Sequence, residues 1–221
     1  MNILNSHNIE SLIAQLNNAS TPQQAIALIN SLGAIDTQEA AIVNILIPAL
    51  SHHHPSVGAA AVVALVQLAP ASVNPLIAAY EHSTDQEFQA YIIQALAQIG
   101  DERAFDLLAE VVGTTVANHC QGNVRRIATR GIGLIGSTSQ NADMIRRTEE
   151  KLIWALLTPE DWGLRYAAVV SLQEIATPQA QAALQQAIAQ ETDKVVLSRI
   201  TLALDTHKQE PTTRVGDFPI T

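Results

Sequence analysis

A histidine and the only cysteine of the sequence are neighbours, at His119 and Cys120, in the stretch NHCQGNVRRI. We predict that a helix begins just after them, near Gly122, where backbone N–H groups without intrahelical partners favour negative charge. Arg125 and Arg126 add positive charge in the first turn of that helix. Such surroundings are typical of a reactive thiol, and an adjacent imidazole can move protons near neutral pH.

A structural interpretation of the same residues is also open. A lone cysteine is often a small core residue, and adjacent side chains in a regular element point in different directions. From the residues alone, catalysis and packing therefore both stay open for Cys120. One cysteine and one histidine are too few ligands for a metal site. The run His52–His54 does not supply one, because three consecutive histidines cannot all face one point, and we predict a solvated loop there.

The composition indicates a soluble globular protein with a large aliphatic core. Of the 221 residues, 48% are hydrophobic but only 4% are aromatic, and a core of Ala, Leu, Ile and Val suits close contacts between helices. The net charge of -9, from 21 acidic and 12 basic residues, argues against a nucleic-acid partner, because phosphate binding requires a positive field.

Neither the cysteine content nor the N-terminal sequence indicates export. One cysteine cannot form an internal disulfide, and MNILNSHNIE lacks the basic start and the apolar run of a secretory signal. No apolar stretch reaches the roughly 18 residues that are needed to cross a bilayer. We therefore expect a cytoplasmic protein without membrane insertion.

Five segments of the chain align as repeats. Their anchors form one hydrophobic column: Val57, Phe88, Val124, Leu164 and Val195. Seven positions further on, the aligned residues are mostly small: Ala64, Ala95, Gly131, Ser171 and Leu202. Together with the positions three and eleven after each anchor, they mark one stripe of an α-helix, in which small residues let a neighbouring helix approach. Only the last segment drifts, as a capping repeat would.

Each interval between anchors also contains a second helical segment, such as RAFDLLAEVV, so that each repeat is a helical hairpin. We predict an all-α protein, an α-solenoid of about five to six HEAT-like helical hairpins, over residues 1–207. The polar, proline-bearing tail, residues 208–221, is left outside the solenoid, with disorder as one interpretation.

The hairpins resemble HEAT-like repeats over residues 21–205. Two features carry the resemblance, a hydrophobic residue and an arginine that open the second helix and an acid three residues before the anchor. They occur as Val124–Arg125, Leu164–Arg165, Asp85 and Asp161. In such solenoids the second helices usually line the concave, binding face. The loop 113–121 would then lie at the rim of a groove.

The string NHCQGN, followed by VRRIATRG and set in HEAT-like hairpins, resembles the smaller subunit of the phycobilin lyases. Within that family the chain is most similar to the subunit of the isomerising lyase for the phycoerythrocyanin α-chain. The resemblance implies a heterodimer with a larger HEAT-repeat subunit, acting in phycobilisome assembly. It would attach phycocyanobilin to a cysteine of a phycobiliprotein α-subunit and isomerise it to phycoviolobilin, with no tightly bound cofactor.

The implied isomerisation moves a double bond from the bridge between rings A and B into ring A, which requires one proton to be added and another removed. In this hypothesis His119 moves protons and Cys120 adds transiently to the bilin. Two alternatives stay open. The chain could belong to a non-isomerising lyase or bilin chaperone, or it could be a non-catalytic HEAT-repeat scaffold in which Cys120 is inert.

A bilin carries two propionates and a row of pyrrole N–H donors, so its groove requires arginines, a carboxylate and flat apolar surfaces. The residues that we predict to bind it are Asn118, Gln121, Asn123, Arg126, Arg130, Asp161, Trp162 and Tyr166. Arg126 and Arg130 are four residues apart and share a helix face.

Structural roles compete with several of these assignments. For Arg125 and Arg165, which occupy equivalent repeat positions, an acid–arginine ladder between repeats is favoured over propionate binding. Helix capping is the simpler role for Asp161. A tyrosine in a core column, such as Tyr91, more often packs than stacks on a ligand. The charged segment MIRRTEEKLIW is predicted to be an exposed helix face.

Overall fold

The computed structural model describes residues 3–35, 40–114, 119–158 and 161–208. Within these ranges the chain is helical and contains no strand, which confirms the all-α prediction. The helices are α1 (Ile3–Asn17), α2 (Pro22–Gly33), α3 (Ala40–Ala49), α4 (Pro55–Gln67), α5 (Val73–Glu81), α6 (Gln86–Ile99), α7 (Phe105–Gly113), α8 (His119–Thr138), α9 (Ala142–Leu157), α10 (Trp162–Ile175), α11 (Pro178–Ile188) and α12 (Lys194–Lys208). A short 3-10 turn, Glu102–Ala104, precedes α7.

Consecutive helices pair into six hairpins, from α1–α2 to α11–α12, among the described residues. Successive even-numbered helices contact one another extensively, whereas successive odd-numbered helices meet only weakly. Because the more closely spaced layer lies on the inside of a curved stack, the even helices form the concave side. The predicted α-solenoid is confirmed, and these contacts favour the expected place of the second helices on its concave face. Most of the predicted tail, from residue 209 onward, lies outside the described residues.

Small residues allow the close spacing of the even helices. A Cβ added to Gly131 of α8 would lie 2.6 Å from the Cα of Ala97 in α6. A Cβ added to Gly133 would lie 2.4 Å from the Cβ of Ser171 in α10. These distances are below van der Waals contact, so the predicted column of small residues marks the helix interfaces.

Aspartates cap three of the even helices. Asp85, Asp161 and Asp193 each accept hydrogen bonds from two backbone N–H groups in the first turns of α6, α10 and α12, at 2.8–3.3 Å. Each cap satisfies donors that have no intrahelical partner. The capping role that the sequence favoured for Asp85 and Asp161 is confirmed.

The cap at Asp193 also corrects the register of the last repeat. Three residues after it lies Val196, which is fully buried, whereas the predicted anchor Val195 is 52% exposed. Seven residues beyond Val196, Ala203 is buried, whereas Leu202 is 56% exposed. The prediction of Val195 as the anchor was wrong by one residue, because two successive valines left the register ambiguous. In the corrected register the last repeat keeps the small residue of the pattern.

None of the helices within the described ranges combines the length and the apolar character that crossing a bilayer requires.

Candidate functional site

The first turn of α8 extends beyond the ends of its neighbours. α6 and α10 begin two residues before their anchors, whereas α8 begins at His119, five residues before Val124. At 1.5 Å per residue, these three additional residues lengthen α8 by about 4.5 Å. The predicted start near Gly122 was therefore wrong by three residues. Gly122 is buried, and the close packing there offsets the poor helix propensity of glycine.

Cys120 thus belongs to the first helical turn and not to the loop before it. Its backbone position still lies where N–H groups lack intrahelical partners, which was the reason to expect a reactive thiol. Asn118, and the side chains of His119 and Cys120, lie outside the described residues, so their roles stay predictions. Gln121 is half-buried in the same turn, and Asn123 is exposed.

Arg126 and Asp161 bind each other across the interface of α8 and α10. The Nη2 of Arg126 lies 2.9 Å from Oδ1 of Asp161. The guanidinium rests against Gly163, where an added Cβ would lie only 2.3 Å from Nε. Its Cζ is also 5.7 Å from the ring centroid of Trp162. Three residues that were predicted separately as bilin ligands therefore form one cluster.

The cluster keeps Asp161 ionised. Burial alone would raise the pKa of Asp161, but the hydrogen bond and charge of Arg126, with two backbone N–H groups, outweigh burial and lower it. The Nε of Arg126 is buried and has no hydrogen-bond partner among the described residues. The side chain as a whole is 37% exposed, and it is this exposed part that a ligand can reach.

Arg130 also reaches from α8 to α10. Its Nη2 lies 2.6 Å from Oε1 of Glu174, and its Nη1 donates to Oγ of Ser171 at 3.0 Å. The side chains of Arg130 and Glu174 are 39% and 43% exposed. Such an exposed ion pair contributes little to stability, so a ligand carboxylate can compete for the arginine.

A groove of about 880 Å³ runs along the concave layer from α4 to α10. Arg126 and Arg130 line it together with apolar residues such as Ile127 and Leu134. This volume and mixed lining are typical of small-molecule sites. Trp162 and Tyr166 of α10 also expose aromatic surface. Their roles in binding bilin stay predictions.

Tyr91 has a structural role. Its O–H donates to the carbonyl of Pro55 at 3.4 Å, and its ring lies against Gly58, where an added Cβ would be 3.1 Å from Cζ. The side chain packs α6 on α4, as the packing interpretation expected.

The histidine run lies in the turn before α4. The rings of His52 and His53 stack with centroids 4.2 Å apart, and the backbone N–H of His54 donates to Nδ1 of His52 at 3.0 Å. Burial, followed by the charges of the other two histidines, lowers the pKa of His52. His53 is exposed, whereas His52 and His54 are half-buried, so the predicted loop is only partly solvated. Within the described ranges, no three His, Cys, Asp or Glu residues are grouped to hold a metal ion.

Comparison with known proteins places the chain in a family. HEAT repeats match residues 114–205, and the PBS lyase HEAT-like repeat matches residues 88–114. The chain is 61% identical to the bilin biosynthesis protein PecF of Mastigocladus laminosus, over 90% of this chain and 94% of that protein. It is 70% identical to PecF of Nostoc sp. (strain PCC 7120 / SAG 25.82 / UTEX 2576), over 72% and 92%. The chain belongs to the PecF family of bilin biosynthesis proteins.

A solved structure shares the fold of this PecF-family chain. The complex of CpcE and CpcF of phycocyanin lyase from Nostoc sp. PCC7120 matches with a TM-score of 0.64 and 30% identity, over 75% of this chain and 99% of the matched chain.

The predicted ladder of arginines and acids between repeats is only partly present in the PecF-family chain. Arg165 pairs with Glu191 at 2.7 and 2.9 Å, and the two side chains are only 15% and 5% exposed. Each partner stabilises the ionised form of the other, which raises the pKa of Arg165 and lowers that of Glu191. Arg125 does not follow this pattern. It is 7% exposed, and its Nε donates to the carbonyl of Val112 at 3.0 Å.

Sequence reasoning missed Lys151, which was assigned to an exposed helix face. Its Nζ lies 4.6 Å from the ring centroid of Trp154 and would be 3.2 Å from a Cβ on Gly113. Burial, followed by repulsion from Arg125, lowers the pKa of Lys151. A signal was present in the sequence: Arg146 has acids three residues before and four after it, whereas Lys151 has none at these spacings.

Proposed function

We propose that this chain is the smaller subunit of a heterodimeric phycobilin lyase-isomerase. It attaches phycocyanobilin, its substrate, to a cysteine of a phycobiliprotein α-subunit and isomerises the bilin to phycoviolobilin. The partner is a larger HEAT-repeat subunit, the setting is phycobilisome assembly in the cytoplasm, and no tightly bound cofactor is required. Identity of 61% with a PecF protein over nearly the full length of both chains carries the proposal.

Attachment is the addition of the acceptor protein's thiol to the ethylidene carbon on ring A. Isomerisation then requires one proton to be delivered and another removed as the double bond enters ring A. In this proposal His119 moves these protons, while the thiol of Cys120 adds to the bilin, its proton passing to the pigment, and is released by the reverse elimination once the double bond has moved. Their place in the first turn of α8 supports the assignment, because the same helix brings Arg126 and Arg130 to the concave groove.

The concave groove provides the remaining contacts. Arg126 lines the groove and can bind a propionate through its exposed side while Nη2 still holds Asp161. Arg130 is the second candidate for a propionate, and Asp161 for the pyrrole N–H donors. The exposed rings of Trp162 and Tyr166 offer stacking surfaces. Gln121 and Asn123 in the first turns of α8, and Asn118 just before it in the sequence, are candidates for further polar contacts.

The test is co-expression of the chain with the larger subunit, bilin and the apo-α-subunit, with the absorption spectrum of the product as readout. His119→Ala and Cys120→Ala should each reduce formation of the blue-shifted product by about 100-fold or more, while attachment persists. His53→Ala, at an exposed histidine far along the chain, is the matched control.

Other results would select the alternatives. Normal isomerisation by both variants would refute the site assignment. Attached bilin with unchanged conjugation in the wild type would indicate a non-isomerising lyase. If the purified pair bound no bilin and its thiol reacted like a free model thiol, only a scaffold would be left.

A further inference from the structure

Two cations meet where α7, α8 and α9 join, next to the end of α7. Arg125 of α8 donates to the carbonyl of Val112, and Lys151 of α9 lies beside Gly113, the last residue of α7. Among the described residues, no acidic side chain lies within salt-bridge distance of either cation. This junction directly precedes the chain segment that leads to His119 and Cys120.

Most other arginines in the described part of the chain have acidic partners. The pairs are Arg103–Asp101, Arg126–Asp161, Arg130–Glu174, Arg146 with Asp143 and Glu150, Arg147–Asp106, and Arg165–Glu191. Removing a cation from water without a counter-charge is unfavourable. Neither of these neighbouring cations has an acid in salt-bridge contact among the described residues, and Arg125, only 7% exposed, is favoured just by the more distant charge of Asp161, so the two depart from the pattern of this fold.

A groove of about 410 Å³ between α7 and α9 leads to Lys151. Phe105, Ala109 and Trp154 give it apolar and aromatic walls. Its other charged side chains are already paired, Arg147 with Asp106 and Glu150 with Arg146, and Arg147 lies 4.5 Å from the ring centroid of Phe105. Lys151 is thus the cation of this groove that is available to an anion.

We propose that Arg125 and Lys151 form a carboxylate-binding site, and that a propionate of the bilin occupies it during the reaction. The assignment rests on the proposed function and adds to it a contact outside the concave groove. Since the bilin has two propionates, one would bind here and the other would be left for Arg126 or Arg130. A bound carboxylate would offset the mutual repulsion of the two cations and the burial that now disfavours the charge on Lys151.

The position of the site suits a substrate more than an acidic side chain of a partner protein. Arg125 follows Cys120 by five residues in α8, which corresponds to about 7.5 Å along the helix axis. A carboxylate held there leaves the conjugated rings within reach of the first turn of α8. The aromatic walls also match a flat tetrapyrrole better than a single aspartate or glutamate.

The experiment titrates the purified heterodimer with phycocyanobilin and with its dimethyl ester, which lacks both carboxylates. Lys151→Met keeps the length of the side chain but removes its charge. This variant should bind the free acid about tenfold more weakly than the wild type and the ester equally well. Lys151→Arg should restore discrimination between acid and ester. Arg146→Met removes a charge from the exposed face of the same helix and should change neither affinity.

Each remaining outcome overturns the assignment. If Lys151→Met discriminates acid from ester as the wild type does, the propionate does not bind here. If Lys151→Met instead weakens assembly with the larger subunit or the acceptor protein, an acidic protein side chain is the ligand. Should Lys151→Met unfold, Lys151→Gln provides the same comparison. A wild-type pair that binds neither form of the bilin would refute the proposed function together with this site, whereas the other outcomes refute this site alone.

Discussion

The hairpins α7–α8 and α9–α10 are neighbouring copies of one repeat, yet their second helices begin differently. α10 begins after Asp161, whose carboxylate caps the backbone and binds Arg126. α8 has Gln121 at the same distance from its anchor and continues upstream through Cys120. The same position of the repeat therefore has two roles. In α10 a carboxylate caps the start of the helix, whereas in α8 a neutral residue leaves the first turn without a negative charge that would repel a thiolate.

The largest effect is expected when the charged start of α10 is removed. Asp161→Ala deletes the cap and leaves the guanidinium of Arg126 without its partner. We expect the free energy of unfolding to fall by about 3 kcal/mol. Urea denaturation measures it. Asp85→Ala, which removes a cap without an arginine partner, should cost about 1 kcal/mol. Equal losses would show that the ion pair contributes nothing.

The contribution of the charge should appear in the pH dependence. Folding lowers the pKa of Asp161 from its ordinary value of 3.8, so its stabilisation is present above that value and is lost as the pH falls through the lower, folded pKa. Asp161→Asn keeps a good cap but has no charge. At pH 7 it should be about 2 kcal/mol less stable than the wild type. The difference should shrink below about pH 4, and a constant difference would contradict this explanation.

Giving α8 the residue that starts α10 tests the comparison from the other side. Gln121→Asp places a carboxylate directly after Cys120, which disfavours the thiolate. The rate of alkylation by iodoacetamide at neutral pH should fall about tenfold, which corresponds to a shift of about one pKa unit. Gln121→Asn is the neutral control and should react like the wild type. An unchanged rate in Gln121→Asp would mean that the charge at this position does not influence the thiol.

The smallest effect is expected at Gly163, where the arginine rests on the helix. An added methyl group would displace the guanidinium of Arg126 but leave the cap in place. We expect a net loss of about 1 kcal/mol, since the lost ion pair outweighs the gain in helix propensity. In an Arg126→Met background, Gly163→Ala should instead be neutral or stabilising. An equal loss of unfolding free energy in both backgrounds would show that the added methyl group clashes with a group other than Arg126.

Much of the fold could be predicted because burial follows helical periodicity directly. The column of small residues, for example Gly131 and Ser171, coincides with the contacts between even helices. The start of α8 could not be predicted, since a glycine usually marks a helix boundary. Gly122 is helical here because it is buried. The anchor of the last repeat was misplaced because Val195 and Val196 are equally apolar. Only the distance from the cap at Asp193 distinguishes the two valines.

The site was less predictable because its contacts join residues far apart in the chain. Arg126 and Asp161 are 35 residues apart, and no local pattern indicates that they pair. Arg125 and Arg126 are adjacent, yet one reaches the carbonyl of Val112 in α7 and the other Asp161 at the start of α10. Whether Arg125 or Arg126 contacts α10 depends on the rotation of α8 about its own axis. The sequence pattern fixes that rotation only to within one residue position.

The close contact of Gly133 with Ser171 has a mechanical consequence. Two helices that touch at a glycine can rotate about that contact point. A methyl group inserted there would push the helices apart, and the distance by which one helix moves relative to the other would grow with distance from the contact. Cys120, in the first turn of α8, lies 13 residues upstream of Gly133, which is about 20 Å along the axis. A change of a few degrees at this hinge would therefore alter by an ångström or more the gap between that turn and the aromatic side chains at the start of α10.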